Sequence, residues 1–111
     1  MIKRISILTR KEGMSKEEFL KHWKDHLPIA HAVPEMRRYV IDHITSQPQR
    51  ADVPVVWDMG DVDGIAETWW DDQASTDRAF ASEEGKRWLA HGASFIGRQK
   101  TFIVKEEVVV G

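Results

Sequence analysis

No cysteine occurs in the 111 residues. Disulfides and thiolate chemistry are therefore excluded, and any proton carrier or nucleophile must be another residue type. Positive charge is not in excess either: 16 Lys and Arg face 18 Asp and Glu, for a formal net charge of -2. A surface so balanced does not neutralise phosphates, so nucleic acid is not an expected partner. No apolar run approaches the roughly 20 residues that cross a bilayer, and no membrane partner is expected. Met1-Ile2-Lys3-Arg4-Ile5 lacks the apolar stretch of a secretory signal. With the missing cysteines, this makes a cytoplasmic location the expectation. There is also no glycine-rich phosphate loop and no serine-centred nucleophile elbow.

What is present fits one globular domain spanning 1–111. Hydrophobic residues make up 41% of the chain and charged residues 31%, the balance of a folded rather than a disordered protein. The length is enough to bury a core without staples. Five tryptophans are available for a core, an interface or a ligand pocket.

Residues 2–9 are rich in Ile and Leu and read as a strand. Lys11-Glu12-Gly13 is a turn. Ser15 opens a helix, with Glu18 completing a capping box and Met14 packing on Phe19 as a staple. Phe19, Trp23, His26 and Leu27 recur at helical spacing. Pro28 is expected to stop or kink this helix, with a further turn over 29–33. Residues 38–45 alternate as a strand, with Tyr39, Ile41 and His43 on one face and Val40, Asp42 and Ile44 on the other. A polar loop over 46–53 precedes a short apolar patch at 54–59. Residues 65–70 form the third strand. Asp72 or Ser75 caps a short helix through Phe80. Ser82 caps another, which turns Trp88, Leu89, Phe95 and Ile96 inward and ends at Gly97. Residues 101–110 form the last strand.

The order β-α-β-β-α-β predicts an α+β, ferredoxin-like fold: one four-stranded antiparallel sheet with its helices on a single face. The other face is left bare. Val40, Ile44, Ala66, Trp70, Phe102, Val104 and Val108 are its candidate residues. A bare apolar sheet predicts a homodimer through that face.

Glu67 is the most informative residue. It sits in Ile65-Ala66-Glu67-Thr68-Trp69-Trp70, which otherwise reads as a buried strand. A carboxylate there is costly unless paired or neutral. It is expected to share a sheet face with Tyr39 and His43 and to meet His26 in one cleft. Desolvation there would raise its pKa and suit it to acid–base work near neutral pH. Pairing with a Lys or Arg, or reaching water at an edge, is the alternative. His26 is either a proton-transfer group or a core histidine satisfied by a carbonyl. Tyr39 either donates to a substrate carbonyl or is a strand aromatic with a wet hydroxyl. Trp23, His43, Trp69, His91 and Phe95 are candidate substrate contacts. Trp69 is expected to enter the cleft, and Trp70 to face the dimer. His22 and His26 have zinc-helix spacing but lack a third ligand, and Asp58, Asp61 and Asp63 lack the rest of a calcium loop, so no metal is expected.

Gly13-Met14-Ser15-Lys16-Glu17-Glu18-Phe19 and Trp23-Lys24-Asp25-His26-Leu27-Pro28 resemble the opening of EthD-like proteins, of the dimeric α+β barrel superfamily. Tyr39 and the segment from Trp88 to Gly97 fit as well. The stretch from His91 to Phe102, with Glu106-Glu107-Val108, is most similar to methylmuconolactone methylisomerases. The resemblance implies a dimeric barrel and a cofactor-free isomerase acting on a lactone or aromatic-derived carbonyl compound. It marks His26 and Tyr39 as active-site groups. The position matching Glu67 is a cysteine in those enzymes; a proton-transfer role survives that exchange and a thiolate role does not. On this reading Glu67 is the base, His26 the acid or relay, and Tyr39 the oxyanion donor. The alternatives are a non-catalytic binding or accessory protein for a hydrophobic metabolite and a cofactor-free monooxygenase.

Overall fold

A computed structural model of the chain describes residues 1–54 and 62–111. Most of the apolar patch at 54–59, and Asp58 and Asp61, lie outside the described residues. Among the described residues the elements are β1 (Ile2–Arg10), α1 (Lys16–Ala30), β2 (Arg38–His43), β3 (Gly64–Trp70), α2 (Gln73–Ala81), α3 (Glu83–Ala93) and β4 (Ile96–Val104). The strands pair antiparallel in the order β2-β3-β1-β4, the ferredoxin-like arrangement of an α+β fold.

The helix ends follow from local chemistry. The Ser15 side chain accepts the Glu18 N–H at 3.1 Å and starts α1. Pro28 lies inside α1 rather than ending it. Its missing N–H falls in the last turn, where the chain tightens into the three-residue bonds His31 N–H to Pro28 O and Ala32 N–H to Ile29 O. Asp72 and Ser75 form a reciprocal capping box for α2. Ser82 ends α2 and begins α3: its hydroxyl donates to Ala79 O at 2.6 Å and accepts Gly85 N–H at 3.0 Å.

Two boundaries differ from the sequence reading. The helix ends at Ala93, and Gly97 is already in β4. A side chain at 97 would collide with the Arg10 carbonyl, where the β1–β4 register slips between Thr9 and Arg10. Gly97 therefore serves a close backbone approach at a bulge, not a helix stop. Strand β4 closes at Val104, and Val108, Val109 and Val110 form an exposed tail.

The register decides which side chains meet. Directly paired residues share a face. Thr68 pairs with Tyr39 and Arg4, and Ala66 with Ile41 and Ser6. That face also carries Leu8 and Trp70, and the helices cover it. Trp70 packs with Ala30, Ala79 and Trp88, and Leu8 with Phe19, Trp23 and Phe95. The outer face carries Lys3, Ile5, Val40, Glu67, Trp69, Phe102 and Val104. Of the residues expected on the bare face, Ala66 and Trp70 thus turn inward. Trp70 is fully buried, and its indole N–H donates to Thr68 Oγ1 at 2.9 Å.

Candidate active site

A cavity of about 400 Å³ lies between the inner sheet face and the helices. That size suits a small organic ligand. Arg4, Ser6 and Thr68 line it from the sheet, Trp88 and Gly92 from α3, and His26 from α1. Tyr39 and Trp23 complete the wall. Trp23 fits because Gly64 has no side chain; a Cβ there would overlap the indole ring.

His26 lies on the buried stripe of α1 and is 5% exposed. Its Nδ1 is 2.8 Å from Nδ1 of His91 on α3, so one ring donates and the other accepts. Trp88 stacks against it at 5.4 Å between ring centres and 13° between planes, and Phe95 meets its edge. The Nε2 edge faces Gly92, where an added Cβ would lie 3.6 Å away. Burial, and secondarily the charge of His91, lower the His26 pKa to about 4. At neutral pH His26 is uncharged. With His26 Nδ1 donating, Nε2 is a base; with His91 donating, Nε2–H is an acid. A proton gained at His26 Nε2, with the Nδ1 proton passed to His91 along the 2.8 Å bond, turns the first form of His26 into the second and leaves the added charge on His91.

Burial also raises the Tyr39 phenol above its usual pKa, with a polar contact from Trp23 acting the other way. Tyr39 therefore keeps its proton and remains a donor. Its ring meets Trp88 edge-on at 5.6 Å, the same indole that stacks on His26.

Glu67 does not share this cavity. It pairs with Val40 and Ile5, which puts it on the outer face, opposite to Tyr39. One residue of strand parity separates the two outcomes. Lys3 Nζ holds its carboxylate at 2.7 Å. Its pKa is lowered, first by a hydrogen bond from Asp42 and then by Lys3, not raised by desolvation; Asp42 is raised in return by the same hydrogen bond. The tryptophans are likewise reversed. Trp70 is the core residue, whereas Trp69 lies outside between Lys3 and Arg38, each 4.7 Å from its ring centre. Its indole N–H donates to Glu106 at 2.6 Å.

The other expected contacts divide. His91 reaches the site through His26. Phe95 is fully buried between Phe19 and His26 and supports the site from the core. His43 shares the inner sheet face but is exposed at the end of β2, edge-on to Trp23 at 5.4 Å. Asp63 is taken by Arg10 at 2.6 Å. Among the described residues, no group of three or more His, Asp or Glu is placed to hold a metal. No helix among them is long and apolar enough to cross a membrane.

Sequence reasoning passed over two groups. Arg4 lines the cavity from β1. The alternation Ile2, Arg4, Ser6, Leu8 puts a cation on a core-facing strand position, which was the available signal. The indole N–H of Trp88 is the one buried side-chain N or O without a partner among the described residues. No pattern in the sequence marks it.

Fold and site together define a ferredoxin-like α+β protein with a histidine–tyrosine cavity between sheet and helices. The chain belongs to the methylmuconolactone methyl-isomerase family, an isomerase family, with residues 1–111 matched. It is 31% identical over 108 residues to the 4-carboxymethyl-4-methylbutenolide mutase of Pseudomonas reinekei, covering 97% of this chain and 100% of that one. Among solved structures it is similar to an ethyl tert-butyl ether degradation (EthD) family protein from Bacillus halodurans, with a TM-score of 0.74 and 23% identity, over 96% of this chain and 99% of the other. A dimeric ferredoxin-like protein of unknown function from Thermobifida fusca gives a TM-score of 0.68 at 12% identity, over 93% and 88% of the chains. The EthD-like and methylisomerase resemblance drawn from the Trp23–Pro28 and His91–Phe102 segments therefore holds.

Proposed function

We propose that this protein is a cofactor-free isomerase of a small lactone in aromatic catabolism, working in the His26–Tyr39 cavity. The observation that carries this reading is His26: buried, uncharged at neutral pH, with one ring nitrogen bonded to His91 and the other edge toward the cavity. An isomerisation leaves no net oxidation and transfers no group to an acceptor. The protein must polarise a carbonyl and move a proton. Tyr39 donates its O–H to the lactone carbonyl oxygen as negative charge develops there. His26 Nε2 takes a proton from the carboxymethyl carbon as the ring C–O bond beside it breaks and the lactone oxygen leaves as a carboxylate. It returns the proton as the other carboxylate closes a new C–O bond, giving an isomer of equal mass. The Nδ1–Nδ1 bond lets His91 share the charge gained by His26. The aromatic ring of Trp88 keeps His26 and Tyr39 in one fixed relation. Trp23 and Phe95 give the site its shape, and Glu67 serves the outer sheet face. The substrate class follows the mutase relative, whose name specifies a butenolide.

The outer face is the surface on which a second copy would dock to form a homodimer. The exposed apolar residue Phe102 on β4, with Ile5, Val40 and Val104 on the same face, and the dimeric relative of the same fold support this. A soluble, cytoplasmic enzyme is consistent with that arrangement. The test is direct: 4-carboxymethyl-4-methylbutenolide is incubated with the protein in deuterated water and followed by proton NMR. Conversion to an isomer of equal mass is expected. A lactone recovered unchanged, with no deuterium gained, contradicts the isomerase reading.

A further inference from the structure

The cavity contains a cation that the proton-transfer chemistry does not use. Arg4 enters from the inner face of β1, opposite Thr68. Four other arginines, Arg10, Arg37, Arg50 and Arg78, each hold a carboxylate at 2.6 to 2.9 Å. Arg4 has no such partner among the described residues. Its guanidinium lies 5.1 Å from the Phe80 ring centre. The acid that acts on it over distance, Asp77, is exposed on α2 and accepts a hydrogen bond from Gln73. Burial works against the charge and lowers the Arg4 pKa. A half-buried guanidinium without an ion pair is costly, and a carboxylate is the ligand group that best matches its fork of donors.

A second observation points the same way. Trp88 is 9% exposed, stands in the same cavity wall, and its indole N–H has no acceptor. A buried donor left alone is rare and asks for an acceptor. Phe80 links the two groups, since it lies under Arg4 and packs at 6.4 Å against Trp88, which in turn stacks on His26. The cavity thus has an anion-seeking end at Arg4 and a proton-transfer end at His26 and Tyr39.

We propose that Arg4 is a substrate-positioning residue that binds a carboxylate, so that the site selects anionic lactones over neutral ones. The assignment rests on the lactone reading above and deepens it. A lactone carrying a carboxymethyl arm has its carboxylate on Arg4, which places the ring carbonyl at the His26–Tyr39 end. Arg4 does not touch the reacting carbon; it fixes which end of the substrate meets His26.

The test compares 4-carboxymethyl-4-methylbutenolide with its neutral methyl ester on wild type, Arg4→Met and Arg4→Lys. Binding is measured by calorimetry and initial rates in parallel, with circular dichroism and melting curves to check folding. Wild type is expected to favour the acid over the ester by about tenfold or more, the scale of a charge-assisted hydrogen bond. Arg4→Met should weaken acid binding by about 10- to 100-fold and leave the ester within about twofold. The loss should fall on KM rather than kcat, because the contact is present before and during the reaction. Arg4→Lys, which keeps the charge without the fork, should recover part of the acid preference. Equal losses for acid and ester, or an unchanged affinity for the acid, overturn the assignment. So does a wild type that binds both ligands equally or neither. If Arg4→Met does not fold, the wild-type preference and its reduction in Arg4→Lys decide. Preferential binding of the acid without any product supports the Arg4 assignment and removes the isomerase reading.

Discussion

The two faces of the sheet are both polar at their centres, yet they treat their polar groups differently. On the outer face Lys3, Asp42 and Glu67 bind one another, and Trp69 lies between two cations with its N–H on Glu106. Donors and acceptors there are matched within the chain. On the inner face Arg4 has no carboxylate in contact among the described residues and only Asp77 acting on it over distance, Trp88 N–H has no acceptor, and the Nε2 edge of His26 lines a cavity. A buried polar group normally finds a partner in its own chain. Groups that do not are the better pointer to a ligand. A carboxylate in a strand is weaker evidence, because a neighbouring lysine is enough to account for it.

The contrast can be broken by substitution. The largest effect belongs to His26. His26→Gln should lower kcat/KM by about 100- to 10,000-fold, the contribution of a positioned acid–base group, with the melting temperature little changed. Steady-state rates on the lactone check this. Tyr39→Phe comes next: loss of one donor to a developing oxyanion should cost about 100- to 1,000-fold in kcat, with the ring packing on Trp88 kept.

Acid sharpens the comparison through stability. The folded His26 pKa of about 4 lies below the ordinary value of 6.5. As pH falls from 6.5 toward 4 the unfolded chain takes up the proton first. The stabilisation is whole above about 6.5, is lost through that window, and the loss reaches on the order of 3 kcal/mol. Urea titrations at stepped pH measure it, and His26→Gln should flatten that part of the curve. His91→Gln bears on the same group. Removing the charge of His91 should move the acid limb of kcat/KM upward from about 4, but not fully to 6.5, because burial is the larger cause and remains. A limb that does not move would separate the two histidines functionally.

The smallest effect is expected outside the cavity. Glu67→Gln should leave turnover within about twofold and cost about 1 kcal/mol of stability, the scale of one hydrogen-bonded partner. Chemical denaturation gives the second number.

The fold was legible because its signals are local and repeated. Ser15, Asp72 and Ser82 are helix caps in sequence and in structure. The stripe Phe19, Trp23, His26 places its residues on the buried face of α1. Tyr39, Ile41 and His43 do share the face opposite to Val40 and Asp42. Strand β3 was not legible in the same way. Ile65-Ala66-Glu67-Thr68-Trp69-Trp70 has large residues at both parities, so periodicity does not choose a face, and hydrogen-bonded register does. That single ambiguity displaced Glu67, Trp69 and Trp70 together. Gly97 was misread for a related reason: a helix stop and a close strand crossing both favour glycine. Arg4 was passed over because a charged residue in a strand rich in Ile reads as edge polarity until the cavity under it is seen.

The most direct measurement sets the two faces against each other in one assay. Wild type, His26→Gln and Glu67→Gln are each incubated with 4-carboxymethyl-4-methylbutenolide in deuterated water and followed by proton NMR. The account predicts conversion by wild type and Glu67→Gln and none by His26→Gln. Conversion by His26→Gln, with Glu67→Gln inert, would contradict it and move the chemistry to the outer face of the sheet.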